Sequence, residues 1–149
     1  MKLIIGGAYQ GKLAYAKKQY HVTEGWLDGQ TCGMSEILSC RGIYHFHEYV
    51  RRMMQADLNG QDMEENIFGM RIQTGSLSSL EQQAENFAGL LERENPNILI
   101  VSNELGYGVV PMEKSDRLWR EVTGRICTSL AKRADEVVRV VCGVGQHLK

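Results

Sequence analysis

Residues 2–13, KLIIGGAYQGKL, give the strongest structural signal in the chain. The apolar run at residues 3–5 is typical of a buried parallel strand, and a pair of glycines ends it at once. The spacing GxxxxGK from Gly6 to Lys12 matches a Walker A loop, in which main-chain N–H groups face phosphate oxygens and the lysine adds a cation. Residues 14–18 favour a helix, whose N-terminus would add to the attraction for phosphate.

The residue after this lysine departs from the motif. Ser or Thr normally stands there, because its hydroxyl ligates the magnesium that bridges the nucleotide phosphates. The chain has Leu13 instead, which cannot ligate a metal. Either magnesium is held by water and other side chains, or the site binds phosphate without efficient transfer. The sequence therefore predicts a nucleotide phosphate site with an incomplete Mg²⁺ site, lined by Gly6, Gly7, Ala8, Tyr9, Gln10, Gly11, Lys12 and Leu13.

Length and composition limit the function classes. With 149 residues, 43% of them hydrophobic, the chain is expected to form a single nucleotide-binding domain over residues 1–149. Its formal net charge is −1 and its acids and bases are intermixed, so nucleic acid is not an expected partner. No apolar stretch approaches the roughly 20 residues of a membrane helix, and the N-terminus runs into a strand and not into a cleavable signal. We therefore expect a cytoplasmic protein with no membrane partner.

The remaining pattern predicts alternating helices and strands. One amphipathic helix is predicted from Phe46 onward, and a second is predicted to end at Glu94. A third is predicted to run from a capping Asp116 towards Arg133. A continuous apolar run predicts a strand at residues 98–101, and the four valines within residues 137–141 predict the last strand, with Gly143 and Gly145 turning the chain just after it. Residues 57–74 show little periodicity and predict a surface excursion. The expected fold is α/β, with a mostly parallel sheet.

A second candidate wall of the site follows the strand at residues 98–101. The loop NELGYGVVP, at residues 103–111, brings two glycines, Gly106 and Gly108, to the edge where ligands collect in open α/β sheets. Glu104 could orient a substrate hydroxyl or a hydrated magnesium there. A helix cap or a loop salt bridge explains Glu104 equally well.

The pair His45 and His47 is a further candidate. In a strand the two side chains would share a face and could ligate a metal. The segment has a helical pattern, on which the two imidazoles should diverge, so we expect no metal site. The four cysteines form no CxxC pair, which argues against a zinc cluster and against a redox dithiol.

Three ordered blocks resemble the bifunctional adenosylcobinamide kinase and adenosylcobinamide-phosphate guanylyltransferase family of the cobalamin pathway. They are GGAYQGK at 6–12, VSNELGYGVVP at 101–111 and GRICTSLAKRADEVVRVVCGVGQHLK at 124–149. The resemblance implies a three-layer RecA-like P-loop NTPase fold and a homo-oligomer, usually a trimer. It also implies two reactions: phosphorylation of the aminopropanol hydroxyl of adenosylcobinamide by ATP or GTP, then transfer of GMP through a covalent histidine. By position, Gly6, Gly7, Gly11 and Lys12 would hold nucleotide phosphates, and Glu104, Gly106 and Gly108 would line the adjacent loop.

The chain departs from this family where the guanylylated histidine usually stands. Family members carry it in a helix after the second strand, but this chain is shorter there and has no histidine between Val22 and Tyr44. His45 and His47 are the nearby nucleophiles, at a place where the family usually has an acid that helps to hold magnesium. We predict a kinase-type phosphotransferase with an impaired nucleotidyl step, with Lys12, Glu104, His45 and His47 as catalytic candidates. The alternative is a degenerate P-loop protein that binds nucleotide or corrinoid as a partner or sensor.

Overall fold

The computed structural model describes residues 1–58 and 77–149. Within them, six strands form one sheet in the order β2-β3-β4-β1-β5-β6, and all neighbouring strands are parallel except β5 and β6. The strands are β1 Lys2–Ile5, β2 Trp26–Asp28, β3 Gly42–Tyr44, β4 Leu99–Val101, β5 Glu136–Val141 and β6 Val144–His147. The helices are α1 Lys12–Tyr20, α2 Met34–Ile37, α3 Phe46–Leu58, α4 Leu77–Glu94 and α5 Lys114–Arg133.

The apolar run at the N-terminus forms the centre of the sheet. β1 lies between β4 and β5, with Leu3 in register with Ile100 and Ile4 in register with Val138. These side chains are at most 1% exposed. Such burial on both faces is what a continuous apolar run predicts for a parallel strand covered by helices.

Alternate residues of the strands divide the core into two clusters. Ile4 and Val138 pack with Ala16 of α1 on one face. Leu3 and Ile100 lie in the larger cluster on the opposite face, which buries the apolar sides of α3, α4 and α5. Helices therefore cover both faces. This is the predicted three-layer α/β architecture with a mostly parallel sheet, consistent with a P-loop NTPase fold.

The prediction for the C-terminal end of the sheet was wrong. β5 is not the last strand, because β6 turns back against it in a two-residue hairpin. The turn residues Cys142 and Gly143 have φ of 51° and 78°, as a type I′ hairpin turn requires. Gly145 lies within β6, opposite Val140, and not in the turn. The prediction also missed β2 and β3, which have three residues each and are too short for periodicity to indicate.

Two helix boundaries differ from the predictions. α5 begins at Lys114 after the N-cap residue Glu113, so Asp116 is not the predicted cap. Asp116 lies in the first turn, where its carboxylate accepts a hydrogen bond from Arg51 at 3.1 Å. α3 includes the first two residues of the predicted excursion at 57–74, and residues 59–74 lie outside the described part. Across the two described ranges, no helix has the length and apolar character of a membrane span.

Candidate functional site

The predicted phosphate loop joins β1 to α1 and packs closely on the sheet. Gly6 has φ of 149°, and a Cβ atom there would lie 2.4 Å from the Val140 carbonyl oxygen. Gly11 has φ of 78° and is the N-cap residue of α1, where a left-handed conformation favours glycine. The loop therefore needs glycine at both ends of its GxxxxGK pattern.

The β5–β6 turn holds the middle of this loop. The Cys142 N–H donates to Gln10 Oε1 at 2.6 Å, and the Gly143 N–H donates to the Gln10 carbonyl at 2.9 Å. Beside it, Tyr9 has φ of 58° and a fully exposed side chain. Two residues of the loop, Tyr9 and Gln10, thus have contacts or conformations that the sequence motif does not specify.

Lys12 is the first residue of α1 and is 7% exposed. Its Nζ donates to the Gly7 carbonyl at 2.6 Å and to Asn103 Oδ1 at 2.7 Å. Burial lowers the pKa of Lys12, and the nearby Glu104 carboxylate opposes that shift. The ammonium group thus lies between the phosphate loop and the end of β4.

Asn103 connects Lys12 to the buried His47. Because lysine offers only donors, the Asn103 oxygen faces Lys12 and its NH₂ group faces His47 Nε2 at 2.9 Å. The Asn103 main-chain N–H lies 3.3 Å from His47 Nδ1. Burial lowers the pKa of His47 to about 4, with further lowering by His45 and Lys12. His47 is therefore neutral at pH 7.

These groups border a cavity of about 530 Å³. The described residues that line it are Ala8, Tyr9, Gln10, Gly11, Lys12, Leu13, Ala14, Gln30, Tyr44, His45, His47, Glu48, Val101 and Asn103. Most of the predicted phosphate loop and both candidate histidines are therefore brought together. Gly6, Gly7, Glu104, Gly106 and Gly108 were also expected in the site, but they are not among the described residues that line this cavity.

The expectation that the two imidazoles diverge was wrong. Their ring centroids are 6.1 Å apart, in an edge-to-face arrangement. The reason is that His45 precedes α3 and has φ of 52°, so helical geometry does not apply to it. His45 Nδ1 lies 3.0 Å from Asp28 Oδ1, and its side chain is 44% exposed. The two histidines thus border one cavity, one half-exposed and the other buried.

Glu104 forms a loop salt bridge, which was one of the roles that the sequence left open for this residue. Its Oε2 accepts a hydrogen bond from Arg139 Nε at 3.1 Å. The Arg139 guanidinium also lies over the Tyr107 ring, 5.3 Å from its centroid. Gly106 and Gly108 are exposed, with open space where a Cβ would stand. Arg139 therefore links the loop after β4 to β5.

The donor set does not fit the magnesium site of a standard phosphate loop. Leu13 occupies the position of the metal-binding hydroxyl and lines the cavity. Of the described residues lining the cavity, only Glu48 carries a carboxylate, and it lies 3.6 Å from His47 Nε2. Within residues 1–58 and 77–149 there is no cluster of three or more His, Cys, Asp or Glu side chains that could hold a metal ion.

Asp28 was missed in the sequence analysis, and Asn103, in the loop at residues 103–111, was given no catalytic role. Both residues lie at the carboxyl end of a parallel strand or just beyond it, which is where ligands collect in such sheets. Asn103 follows a strand that was predicted, so its position was available from the sequence. Asp28 is the last residue of a strand that was not predicted.

A family model described as cobinamide kinase / cobinamide phosphate guanyltransferase matches residues 49–148, two thirds of the chain. The chain belongs to this family. The matched region begins after the phosphate loop, so the geometry of that loop is an observation separate from the match. The matched region does include Asn103, the residue that contacts Lys12.

Two curated relatives from the cobinamide kinase family cover less of the chain. A bifunctional adenosylcobalamin biosynthesis protein, CobU, of Salmonella typhimurium strain LT2 is 32% identical over 71 residues. Its counterpart in Escherichia coli K12 is 31% identical over 71 residues. In both cases the match spans 48% of this chain and 39% of the relative. The relatives are therefore considerably longer than the region that they share with this chain.

Proposed function

We propose that this chain transfers the terminal phosphoryl group of ATP or GTP to the aminopropanol hydroxyl of adenosylcobinamide, in cobalamin assembly or salvage. The observation that supports this most is the position of Lys12, at the head of α1 between the phosphate loop and Asn103, beside a cavity of about 530 Å³. Membership of the cobinamide kinase family supplies the class of substrate.

Phosphoryl transfer depends on positioning and on stabilising negative charge in the transition state. Lys12 would do both, because its ammonium group reaches the loop that binds the phosphates. To do so it must exchange the Gly7 carbonyl and Asn103 Oδ1 for phosphate oxygens. The α1 N-terminus at Gly11 would add its partial positive charge.

The loop after β4 would form the corrinoid side of the site. Glu104, tied to Arg139, would hold this loop beside the phosphate loop, since the Glu104 N–H also donates to the Gly6 carbonyl at 3.0 Å. The same loop exposes large apolar side chains: Tyr107, Val109, Val110 and Met112. A broad macrocycle with apolar edges suits such a surface.

We include a homo-oligomer in this proposal, to be tested by light scattering of the purified protein.

A second candidate function is favoured by Leu13. Without a hydroxyl beside Lys12, the chain lacks the ligand that normally places magnesium in a phosphate loop. The protein would then bind nucleotide or corrinoid as a partner or sensor and catalyse nothing. GMP transfer is outside the proposal; of its two candidate nucleophiles, His47 is only 5% exposed, and its Nε2 lies 2.9 Å from Asn103 Nδ2.

Mass spectrometry separates the two candidates. The protein is incubated with adenosylcobinamide, Mg²⁺ and either ATP or GTP, and the corrinoid products are identified. We expect adenosylcobinamide phosphate from the wild type and none from Lys12→Met, which keeps the length of the side chain and removes its charge. The exposed variant Lys18→Met is the matched control and should retain activity. Nucleotide binding without any product would favour the binder, and a GDP-linked corrinoid would contradict the restriction to phosphorylation.

A further inference from the structure

A second polar cluster borders the cavity away from the phosphate loop. Asp28 ends β2, Tyr44 ends β3 in register with it, and His45 follows directly. The Asp28 Oδ1 atom lies 3.0 Å from His45 Nδ1 and accepts the Gln30 N–H at 2.9 Å. The Tyr44 side chain also hydrogen-bonds to the Asp28 carboxylate. Asp28 is therefore held by three donors at the end of its strand.

The backbone fixes His45 beside this carboxylate. His45 has φ of 52°, a left-handed conformation that is uncommon for a residue other than glycine. Gly29 packs directly against it, since a Cβ on Gly29 would lie 2.3 Å from the His45 carbonyl oxygen. The Gly29 N–H in turn donates to the Tyr44 carbonyl at 2.8 Å. These contacts between the ends of β2 and β3 hold the His45 backbone in place, and its imidazole lies between Asp28 and the cavity.

The contact with Asp28 selects one state of the imidazole. An ionised carboxylate only accepts hydrogen bonds, so His45 Nδ1 carries the proton that faces Asp28, and in the neutral imidazole Nε2 is then the acceptor. Burial alone would raise the pKa of Asp28, but hydrogen bonds from Gln30, His45 and Tyr44 outweigh it, so the pKa lies below its usual range. No contact of His45 Nε2 is recorded among the described residues, and the side chain is 44% exposed.

Two other candidate bases, His47 and Glu104, already have partners. His47 Nε2 lies 2.9 Å from Asn103 Nδ2 and 3.6 Å from Glu48, and Glu104 is paired with Arg139. We propose that His45 accepts the proton of the substrate hydroxyl during phosphoryl transfer, and that Asp28 is the positioning residue that orients it. This rests on the proposed kinase function.

The proposed transfer forms one phosphorus–oxygen bond and breaks another. The hydroxyl oxygen of the acceptor forms a bond to the γ-phosphorus, the bond from that phosphorus to the β–γ bridging oxygen breaks, and ADP or GDP leaves. The hydroxyl proton moves to His45 Nε2 and is later released to water. The Asp28 carboxylate, 3.0 Å from Nδ1, stabilises the imidazolium in between. The charged and titratable groups around His45 are Asp28 on β2, Tyr44 on β3, His47 and Glu48 on α3, and Lys12 across the cavity.

Kinetics of matched variants test this assignment. His45→Gln should lower kcat about 100-fold or more, a typical contribution of a general base, with the KM for nucleotide unchanged. Asp28→Asn should lower kcat about tenfold and displace the acidic limb of the pH–kcat profile, while Asp28→Glu should recover part of the loss. His21→Asn alters an exposed histidine outside the cavity and is the control. A kcat for His45→Gln within threefold of the wild type would overturn the proposal.

Two further readouts distinguish the possible failures. Two-bond ¹H–¹⁵N correlation spectra of the protein report the His45 tautomer without any turnover, and we expect Nδ1–H in the wild type and loss of that preference in Asp28→Ala. A mixed tautomer in the wild type would remove the positioning role of Asp28. Intact-mass analysis after incubation with GTP and Mg²⁺ should show no GMP adduct; an adduct lost in His45→Gln would make His45 a nucleophile and not a base. No turnover by the wild type would refute the kinase function, and the proton transfer with it.

Discussion

Lys12 is a buried cation with two oxygen acceptors and a neighbouring carboxylate. Such a group is already partly satisfied, so phosphate gains less from it than from a free ammonium. In return the side chain is ordered before the nucleotide arrives, which reduces the conformational entropy lost on binding. Phosphate oxygens must therefore replace both protein acceptors when the nucleotide binds.

The residue beside this lysine gives the first prediction. Leu13→Thr should raise the magnesium-dependent kcat of phosphorylation about tenfold, equivalent to about 1.4 kcal/mol, because the new hydroxyl supplies a metal ligand. Leu13→Val is the control, because valine has the branched shape of threonine without the hydroxyl. The comparison is made by steady-state kinetics across magnesium concentrations. A brisk wild-type rate that Leu13→Thr leaves unaltered would show that the chain positions magnesium without this hydroxyl.

The lowered pKa of His47 predicts how the free energy of unfolding depends on pH. Its pKa is about 4 in the folded state and about 6.5 when unfolded, so between these values the unfolded chain binds a proton that the folded chain does not. The contribution of the neutral side chain is complete above pH 6.5 and is lost as the pH falls towards 4. We expect about 3 kcal/mol less unfolding free energy from this group at pH 4 than at pH 7.

Urea unfolding at several pH values measures this loss. His47→Gln keeps a polar partner for Asn103 and removes the titration, so its stability should depend less steeply on pH than that of the wild type. His21→Asn, at the exposed C-terminal end of α1, should leave the slope unchanged. If the wild type and His47→Gln had equal slopes between pH 4 and 7, the neutral state assigned to His47 would be wrong.

At the scale of elements, the close approach of the phosphate loop to β5 gives a paired test. Gly6→Ala places a Cβ 2.4 Å from the Val140 carbonyl oxygen, so we expect a loss of about 2 kcal/mol or more in unfolding free energy. Gly7→Ala meets only the Gln10 side chain at 3.5 Å, an ordinary contact, so its loss should be about 0.5 kcal/mol or less. Denaturant unfolding of both variants checks the pair; equal stabilities would show that the loop can move away from β5.

The elements recovered from the sequence are those whose signals extend over many residues. β1, β4 and β5 are apolar runs, and α3 to α5 carry helical stripes, so their types were predictable. β2 and β3 are only three residues long, with one polar or glycine residue each, and their strand conformation depends on pairing with each other. β6 depends on the turn at Cys142 and Gly143. The glycine indicated a turn there, but it did not indicate the strand that follows.

The candidate site divides in the same way. Lys12 and its loop were predicted because the motif is continuous in sequence. The contacts of Asp28 with His45, and of His47 with Asn103, join residues 17 and 56 positions apart. The first also requires a left-handed backbone at His45, which reversed the expectation for the histidine pair. Pairing across the sheet, and not local pattern, determines this half of the site.

At the scale of the whole molecule, nucleotide binding should stabilise the fold. A ligand that binds only the folded state adds about 2.7 kcal/mol at 100 times its Kd. We expect GTP to raise the unfolding temperature of the wild type and guanosine, which lacks phosphates, to have no comparable effect. Lys12→Met should abolish most of the shift. Differential scanning calorimetry gives the measurement, and an equal response to guanosine would mean that the phosphates are not what the loop recognises.

The central position of β1 also has a consequence for protein synthesis. β1 is translated before its neighbours β4 and β5, which contain residues 99–101 and 136–141, and the turn that holds Gln10 follows at Cys142. During synthesis, β1 therefore has neither neighbouring strand until residues 99–101 have been made. The contacts between the turn and Gln10 can form only after residue 142, so the nucleotide site is completed long after its loop has been translated.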